Sequence, residues 1–146
     1  MNDPTDAGRQ LPDWIAEHLR TYIESRGEEG HIWNGVPTLL LTTRGRKSGK
    51  DLTLPLIYGT DGDAHVVVAS RGGDDRHPGW YLNLVDEPVV GVRVGTETFT
   101  ARARTASAEE KARLWPKMAE IWPAYDDYQA KTERDIPVVI LERIRG

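Results

Sequence analysis

The stretch that most limits how this chain can fold runs from Leu39 to Lys50. Leu39-Leu40-Leu41-Thr42-Thr43 is apolar and ends in two β-branched residues, which reads as a buried strand. It passes directly into Arg44-Gly45-Arg46-Lys47-Ser48-Gly49-Lys50, four cations in seven residues with two glycines that let the backbone turn sharply. A strand that feeds such a turn can offer side-chain cations and backbone N–H groups to one anionic group. The same residues also fit a solvated hairpin tip whose charges keep a sheet edge from aggregating. Two phosphate motifs are excluded. Gly45 and Gly49 enclose three residues where a P-loop needs four, and Asp51 follows Lys50. Gly45-Arg46-Lys47 also lacks the opening Gly-x-Gly of a dinucleotide fingerprint.

A chain of 146 residues with a formal net charge of −4 suits one domain with a real core. A mildly acidic protein with one basic cluster points to a small anionic ligand, not to nucleic acid. The chain has no cysteine, hence no disulfide framework and no thiol nucleophile. No run has the length to span a bilayer, and Met1 to Asp6 shows no signal-peptide pattern, so a cytoplasmic location is expected.

The first ten residues, 1–10, are polar and are expected to be mobile. Leu11, Trp14, Ile15, Leu19, Tyr22 and Ile23 recur at helical spacing, giving an amphipathic helix over 11–26 that stops at Gly27. Its stripe packs on the domain, covers a site as a lid, or meets a membrane surface. A loop over 28–35 leads to the strand at Thr38–Thr43. Further strands are expected at Leu52–Tyr58, Ala64–Ala69, Val89–Val94, Glu97–Arg104 and Pro137–Glu142, about six in all. Pro55 cannot donate to a ladder and places its strand at an edge or a bulge. Asp61-Gly62 and Gly95-Thr96 mark hairpins. Gly79–Leu84 reads as a short helix, and Ser107-Ala108-Glu109-Glu110 is a capping box that opens another. Pro116 and Pro123 are expected to break the region after that box into short helical pieces. The fold class is α+β, mainly β: a small closed or half-closed barrel of mostly antiparallel strands with flanking helices, one domain over 1–146.

Conventional catalytic groups are sparse. His18, His31, His65 and His77 show no ligand spacing, so no metal site is expected. His77 stands in a loop with Asp74, Asp75 and Arg76 and reads foremost as a solvated histidine. Ser48 and Ser70 lack a nucleophile-elbow context. Three other groups point the same way as the basic turn. Ala69-Ser70-Arg71-Gly72-Gly73 follows a buried strand, where backbone N–H groups can approach a flat ring or a phosphate. Trp80-Tyr81 supplies aromatic faces that suit ligand contact or barrel-end packing. Trp122, Tyr125 and Tyr128 are spaced by three and share one helical face among Pro123, Asp126 and Asp127, which favours a partly exposed aromatic wall.

Taken as an ordered set, Leu41-Thr42-Thr43-Arg44-Gly45-Arg46-Lys47-Ser48-Gly49, Pro55-Leu56-Ile57-Tyr58, Ala69–Gly73, His77–Leu84, Trp122–Tyr128 and Asp135–Ile140 resemble the deazaflavin-dependent nitroreductases, a branch of the split β-barrel flavin-binding proteins. The resemblance covers nearly the whole chain from Thr38 onward. It implies coenzyme F420 as cofactor and transfer of hydride from its reduced form to a small planar acceptor, a quinone or a nitroaromatic. It also implies that the protein supplies no catalytic residue of its own beyond positioning. Carried over residue by residue, Arg46, Lys47, Ser48 and Gly49 meet the anionic tail, and Arg44 counts among the cofactor-binding residues. Pro55, Ala69, Ser70, Arg71, Gly72, Gly73, Trp80 and Asn83 complete the cofactor site, and Trp122, Tyr125 and Tyr128 line the acceptor side. Relatives usually carry an arginine three residues after the second glycine of the turn; here Leu52 stands there, preceded by Asp51. A flavin mononucleotide enzyme on the same barrel and a deazaflavin carrier without turnover are the alternatives, and the oligomeric state is open.

Overall fold

The computed structural model describes residues 13–24, 32–33 and 36–144. The expected mobile segment 1–10 lies outside the described residues. Strand β2 (Val36–Arg44) is the centre of the fold, pairing with β3 (Asp51–Ile57) on one side and β6 (Val89–Val94) on the other. A short β1 (Ile32–Trp33) also pairs with its start. The chain continues through β4 (Gly59–Asp61), β5 (Ala64–Val68), a 3-10 turn at Arg71–Gly73 and helix α2 (Gly79–Asp86). After β6 come β7 (Glu97–Thr105), α3 (Ala108–Ile121), α4 (Ala124–Lys131) and β8 (Val138–Arg143); α1 (Asp13–Glu24) precedes them all.

The main sheet runs β3-β2-β6-β7-β8-β5-β4, antiparallel throughout. It curls until β3 comes into contact with β5 without hydrogen-bonding to it, so the barrel is half closed, the split form that the resemblance implies. Two strands exceed the expected six. Ile32-Trp33 lies in the segment read as a loop. Tyr58 leaves the β3 ladder to donate to the Pro37 carbonyl (3.2 Å), and Gly59–Asp61 then pairs with β5. Pro55 sits on β3 opposite Leu40, and β3 pairs with β2 alone among the described residues. The edge position read from the proline holds.

Two cores explain the sequence pattern. Leu39, Leu41, Val67, Trp80, Leu84, Val92, Val139 and Leu141 fill the barrel. Val66, Val68, Val138 and Ile140, their neighbours on the opposite face, pack with Leu114, Met118 and Tyr125 of the helices. Strands covered on both faces read as unbroken apolar runs, and Val66-Val67-Val68 and Val138-Val139-Ile140-Leu141 are such runs.

Pro116 does not end its helix. Helix α3 continues through it to Ile121, capped by the full Ser107–Glu110 box. Leu114 and Met118, both about fully buried, hold the helix to the sheet on either side of the proline, which offsets a cost of roughly 3 kcal/mol for a helix-interior proline. Pro123 does separate α3 from α4. The N-terminal helix is anchored by Tyr22, which is fully buried. Its hydroxyl lies 3.1 Å from the Thr38 carbonyl and 3.2 Å from that of Arg93, and accepts from the Gly95 N–H at 2.8 Å. At this residue the stripe is packing on the domain.

Candidate cofactor site

The turn between β2 and β3 is closed by its own backbone. Gly45 donates to the Lys50 carbonyl and Gly49 to that of Gly45, both at 2.8 Å, and Lys50 N–H donates to Ser48 Oγ at 3.1 Å. With the loop held, the cations divide into two kinds. Arg44, Lys47 and Lys50 are exposed and form no ion pair among the described residues. Arg46 instead folds onto α2. Its Nη1 donates to Asn83 Oδ1 (2.7 Å) and to the Gly79 carbonyl (3.3 Å), while its backbone N–H donates to the same Oδ1 (3.2 Å). Asn83, 1% exposed, donates in turn to Thr43 Oγ1 at 3.2 Å. Asn83 is therefore a brace between turn and helix, and an outward-reaching Arg46 side chain is not what the structure shows.

The second component is the loop after β5. Ala69 is fully buried and its N–H donates to the Pro137 carbonyl (2.9 Å), so β5 is tied to β8 up to the first residue of the loop. Arg71 then adopts φ 46°, the left-handed region that side chains disfavour. Such conformations persist where surrounding contacts over-determine them, and they cluster at functional sites. Gly73, at φ 83°, lies against α4: a Cβ there would stand 2.8 Å from the Tyr128 carbonyl oxygen. That close approach seats α4 on the loop. An open cleft of about 380 Å³ is lined by Arg71, Gly73, Asp74, Asp75 and Lys131.

One residue that the sequence does not single out holds this loop. Arg134 donates to the carbonyls of Asp74 (2.7 Å), Ser70 (2.7 Å) and Ala69 (3.2 Å), and to His77 Nδ1 (3.0 Å). Arg71 Nη1 reaches the His77 carbonyl at 3.5 Å, and the His77 ring packs at a tilt of 51° against Tyr81 with centroids 4.9 Å apart. His77 leads into α2, whose Gly79 and Asn83 hold the basic turn. The turn, α2 and the 69–77 loop thus form one hydrogen-bonded belt.

The aromatic stripe divides. Tyr125 is 4% exposed and belongs to the helix-side core, its ring 6.1 Å from both Trp115 and Tyr128. Burial pushes its hydroxyl far above the ordinary tyrosine range. Trp122 and Tyr128 are only partly buried, so the partly exposed wall expected of all three holds for those two and not for Tyr125. Trp80, 4% exposed, fills the barrel core, and Pro55 is half-buried on β3.

A curled, half-closed antiparallel barrel with a few flanking helices is the split-barrel fold. The heme storage protein HutZ from Vibrio cholerae, 16% identical with a TM-score of 0.57 over 90% of this chain and 92% of its own, shares that fold. The family model for F420H(2)-dependent quinone reductases matches residues 14–143, and the chain belongs to that family. It is an oxidoreductase that uses coenzyme F420 and passes hydride from the reduced cofactor to a quinone. The F420H(2)-dependent quinone reductase Rv1261c of Mycobacterium tuberculosis is 42% identical over 130 residues, 86% of this chain and 87% of that protein. The putative F420H(2)-dependent quinone reductase Rv3178 of the same organism is 46% identical over 106 residues, 73% and 89% of the two chains. Among solved structures, the F420-H2 dependent reductase FDR-A is 41% identical with a TM-score of 0.68, covering 73% of this chain and 94% of its own. Among the described residues, no helix is long and apolar enough to cross a membrane.

Proposed function

We propose that the belt formed by the basic turn, α2 and the 69–77 loop is where this chain holds F420, and that the partly buried faces of Trp122 and Tyr128 receive the acceptor. The observation that carries the assignment is the set of exposed, unpaired cations on a closed turn. Arg44, Lys47 and Lys50 have no carboxylate partner among the described residues, and Ser48 stands between the lysines with an exposed side chain. Such a donor set fits the phosphate and carboxylates of a deazaflavin tail. When bound, the cofactor supplies the hydride, and the protein contributes binding and orientation. Arg46 and Asn83 keep the turn against α2. Ala69 to Gly73 give a backbone wall for a flat ring, and α4, seated on Gly73, sets the spacing between that wall and the acceptor. Hydride transfer depends on that spacing, because reacting atoms must be held near van der Waals contact. A planar quinone suits the Trp122 and Tyr128 faces, and a nitroaromatic offers the same flat outline.

The test is a pair of titrations with oxidised F420 and with flavin mononucleotide, followed by fluorescence, and a turnover assay with reduced F420 and a soluble quinone. Tighter binding of F420 together with turnover is expected. Equal or tighter binding of flavin mononucleotide would move the site to the shorter cofactor. Binding without turnover of any quinone would make the chain a carrier.

A further inference from the structure

We propose that Arg134 is a positioning residue for the reaction: one guanidinium sets the backbone of the 69–77 loop and fixes His77 as the neutral imidazole protonated on Nε2. The first part rests on peptide geometry. Arg134 draws the carbonyls of Ala69 and Ser70 to its side, at 3.2 and 2.7 Å. Across a planar trans peptide the N–H points opposite to the C=O, so the N–H groups of Ser70 and Arg71 face away from the guanidinium. The third carbonyl, that of Asp74, closes the far end of the 3-10 turn at 2.7 Å. The Ser70 carbonyl also accepts from the Gly73 N–H at 2.9 Å, so the guanidinium adds to the turn's own bond there and commits the Ala69 and Asp74 carbonyls before any ligand arrives.

The second part rests on the donor inventory. A guanidinium has donors only, so the His77 Nδ1 that lies 3.0 Å from Arg134 Nη1 must accept. Its proton is then on Nε2, and a second proton cannot be added without turning two donors on each other. The other charged and titratable groups around this ring do not oppose the arrangement. Arg71 approaches the His77 carbonyl. The Asp74 carboxylate is engaged by the Arg76 N–H at 2.9 Å and its guanidinium at 3.9 Å. Tyr81 packs its ring at a tilt against the imidazole. Burial and the Arg134 charge both hold the imidazole below its ordinary range.

Arg134 is itself built in from both sides. Its carbonyl accepts from Gln129 Nε2 at 2.8 Å, its N–H donates to Thr132 Oγ1 at 3.3 Å, and Thr132 Oγ1 donates to Asp75 Oδ1 at 2.8 Å. The segment between α4 and β8 therefore grips the loop at both Asp74 and Asp75.

The relevance to catalysis rests on the cofactor assignment above, so the test includes a readout in cofactor-free protein. Nitrogen-15 NMR of the histidine rings should show wild-type His77 protonated on Nε2 and titrating below about 6.5, the ordinary histidine value. Arg134→Met should raise that titration relative to wild type, leaving the part that burial depresses, and raise the F420 dissociation constant at least about ten-fold. Arg134→Lys keeps a charge but cannot span three carbonyls and an imidazole. It should fold, leave His77 low, and still bind F420 several-fold more weakly than wild type. A His77 protonated on Nδ1, or titrating alike in wild type and Arg134→Met, overturns the tautomer assignment. F420 affinity within two-fold of wild type in folded Arg134→Lys overturns the positioning role, also where Arg134→Met does not fold. If wild-type protein fails to bind F420 at all, the cofactor reading falls, while the NMR result still decides the state of His77.

Discussion

At the scale of single residues, the basic turn shows how far a charge cluster can be interpreted without coordinates. Its cations and glycines were legible because strand apolarity gives way to charge within one residue, at Arg44. Which cation works on the ligand and which on the fold was not legible, because Arg46 and Lys47 are chemically alike along the chain. The difference comes from Asn83, a residue 37 positions away from Arg46. Arg46→Ala should take the charged donor from the nearly fully buried Asn83 Oδ1 and leave it only the backbone N–H of residue 46, costing on the order of 1–3 kcal/mol. Melting temperature and F420 affinity should fall together. Lys47→Ala should leave the melting temperature in place and weaken F420 binding roughly three- to ten-fold, with the loss shrinking as salt is added. Thermal melts and fluorescence titrations at two ionic strengths separate the variants. An unchanged melt for Arg46→Ala would release that guanidinium for direct contact with the tail. Arg134 was not legible for a related reason. It precedes a buried strand like many loop arginines, and its four acceptors come from a segment about sixty residues earlier.

Elements carry a different set of consequences. Helix α1 could be recognised from its 3.6-residue stripe, yet the stripe alone could not separate a lid from a wall of the barrel. Tyr22 separates them at its own position. Tyr22→Phe removes the acceptor of the Gly95 N–H while keeping the ring, and should cost about 1–3 kcal/mol and lower the melting temperature by several degrees. A melt unchanged by this substitution would return the helix to a peripheral role. Helix α3 has an electrostatic clamp at its start. Glu110 completes the capping box with Ser107 and takes a two-pronged hydrogen bond from Arg104 at 2.7 and 2.8 Å, and Arg104 also reaches Glu142 at 3.0 Å. These donors hold the Glu110 carboxyl down at about 2, against 4.5 ordinarily. A carboxylate depressed in the folded state stabilises above its unfolded value, and that contribution disappears as pH falls from about 4.5 toward 2. Denaturant midpoints measured across this window should drop less steeply for Glu110→Gln than for wild type. Parallel slopes would mean that solvent screens the clamp completely.

At the scale of the whole molecule, the barrel was legible because its hairpins are local. Asp61-Gly62 and Gly95-Thr96 each announce a turn, and alternation across Phe99, Ala101 and Ala103 gives the inward face. The two missed strands are two and three residues long, too short to show a period. The closing order β7-β8-β5 joins strands far apart in sequence, and no local pattern encodes it. That order has a dynamic consequence. Strands β5 and β8 lie side by side between the barrel core and the helix-side core, so water reaches their shared ladder only if both cores come apart. Their backbone amides, Val66 to Val68 and Val139 to Leu141, should trade hydrogen for deuterium more slowly than any others, at the rate set by complete unfolding. The loop from Ser70 to His77, held by its own short turn and by side-chain bonds and belonging to no ladder, should exchange orders of magnitude sooner, through openings that leave the ladder shut. Native-state exchange read by mass spectrometry would then show a rigid spine whose clock is the global stability, with the ligand-facing segment keeping faster time beside it.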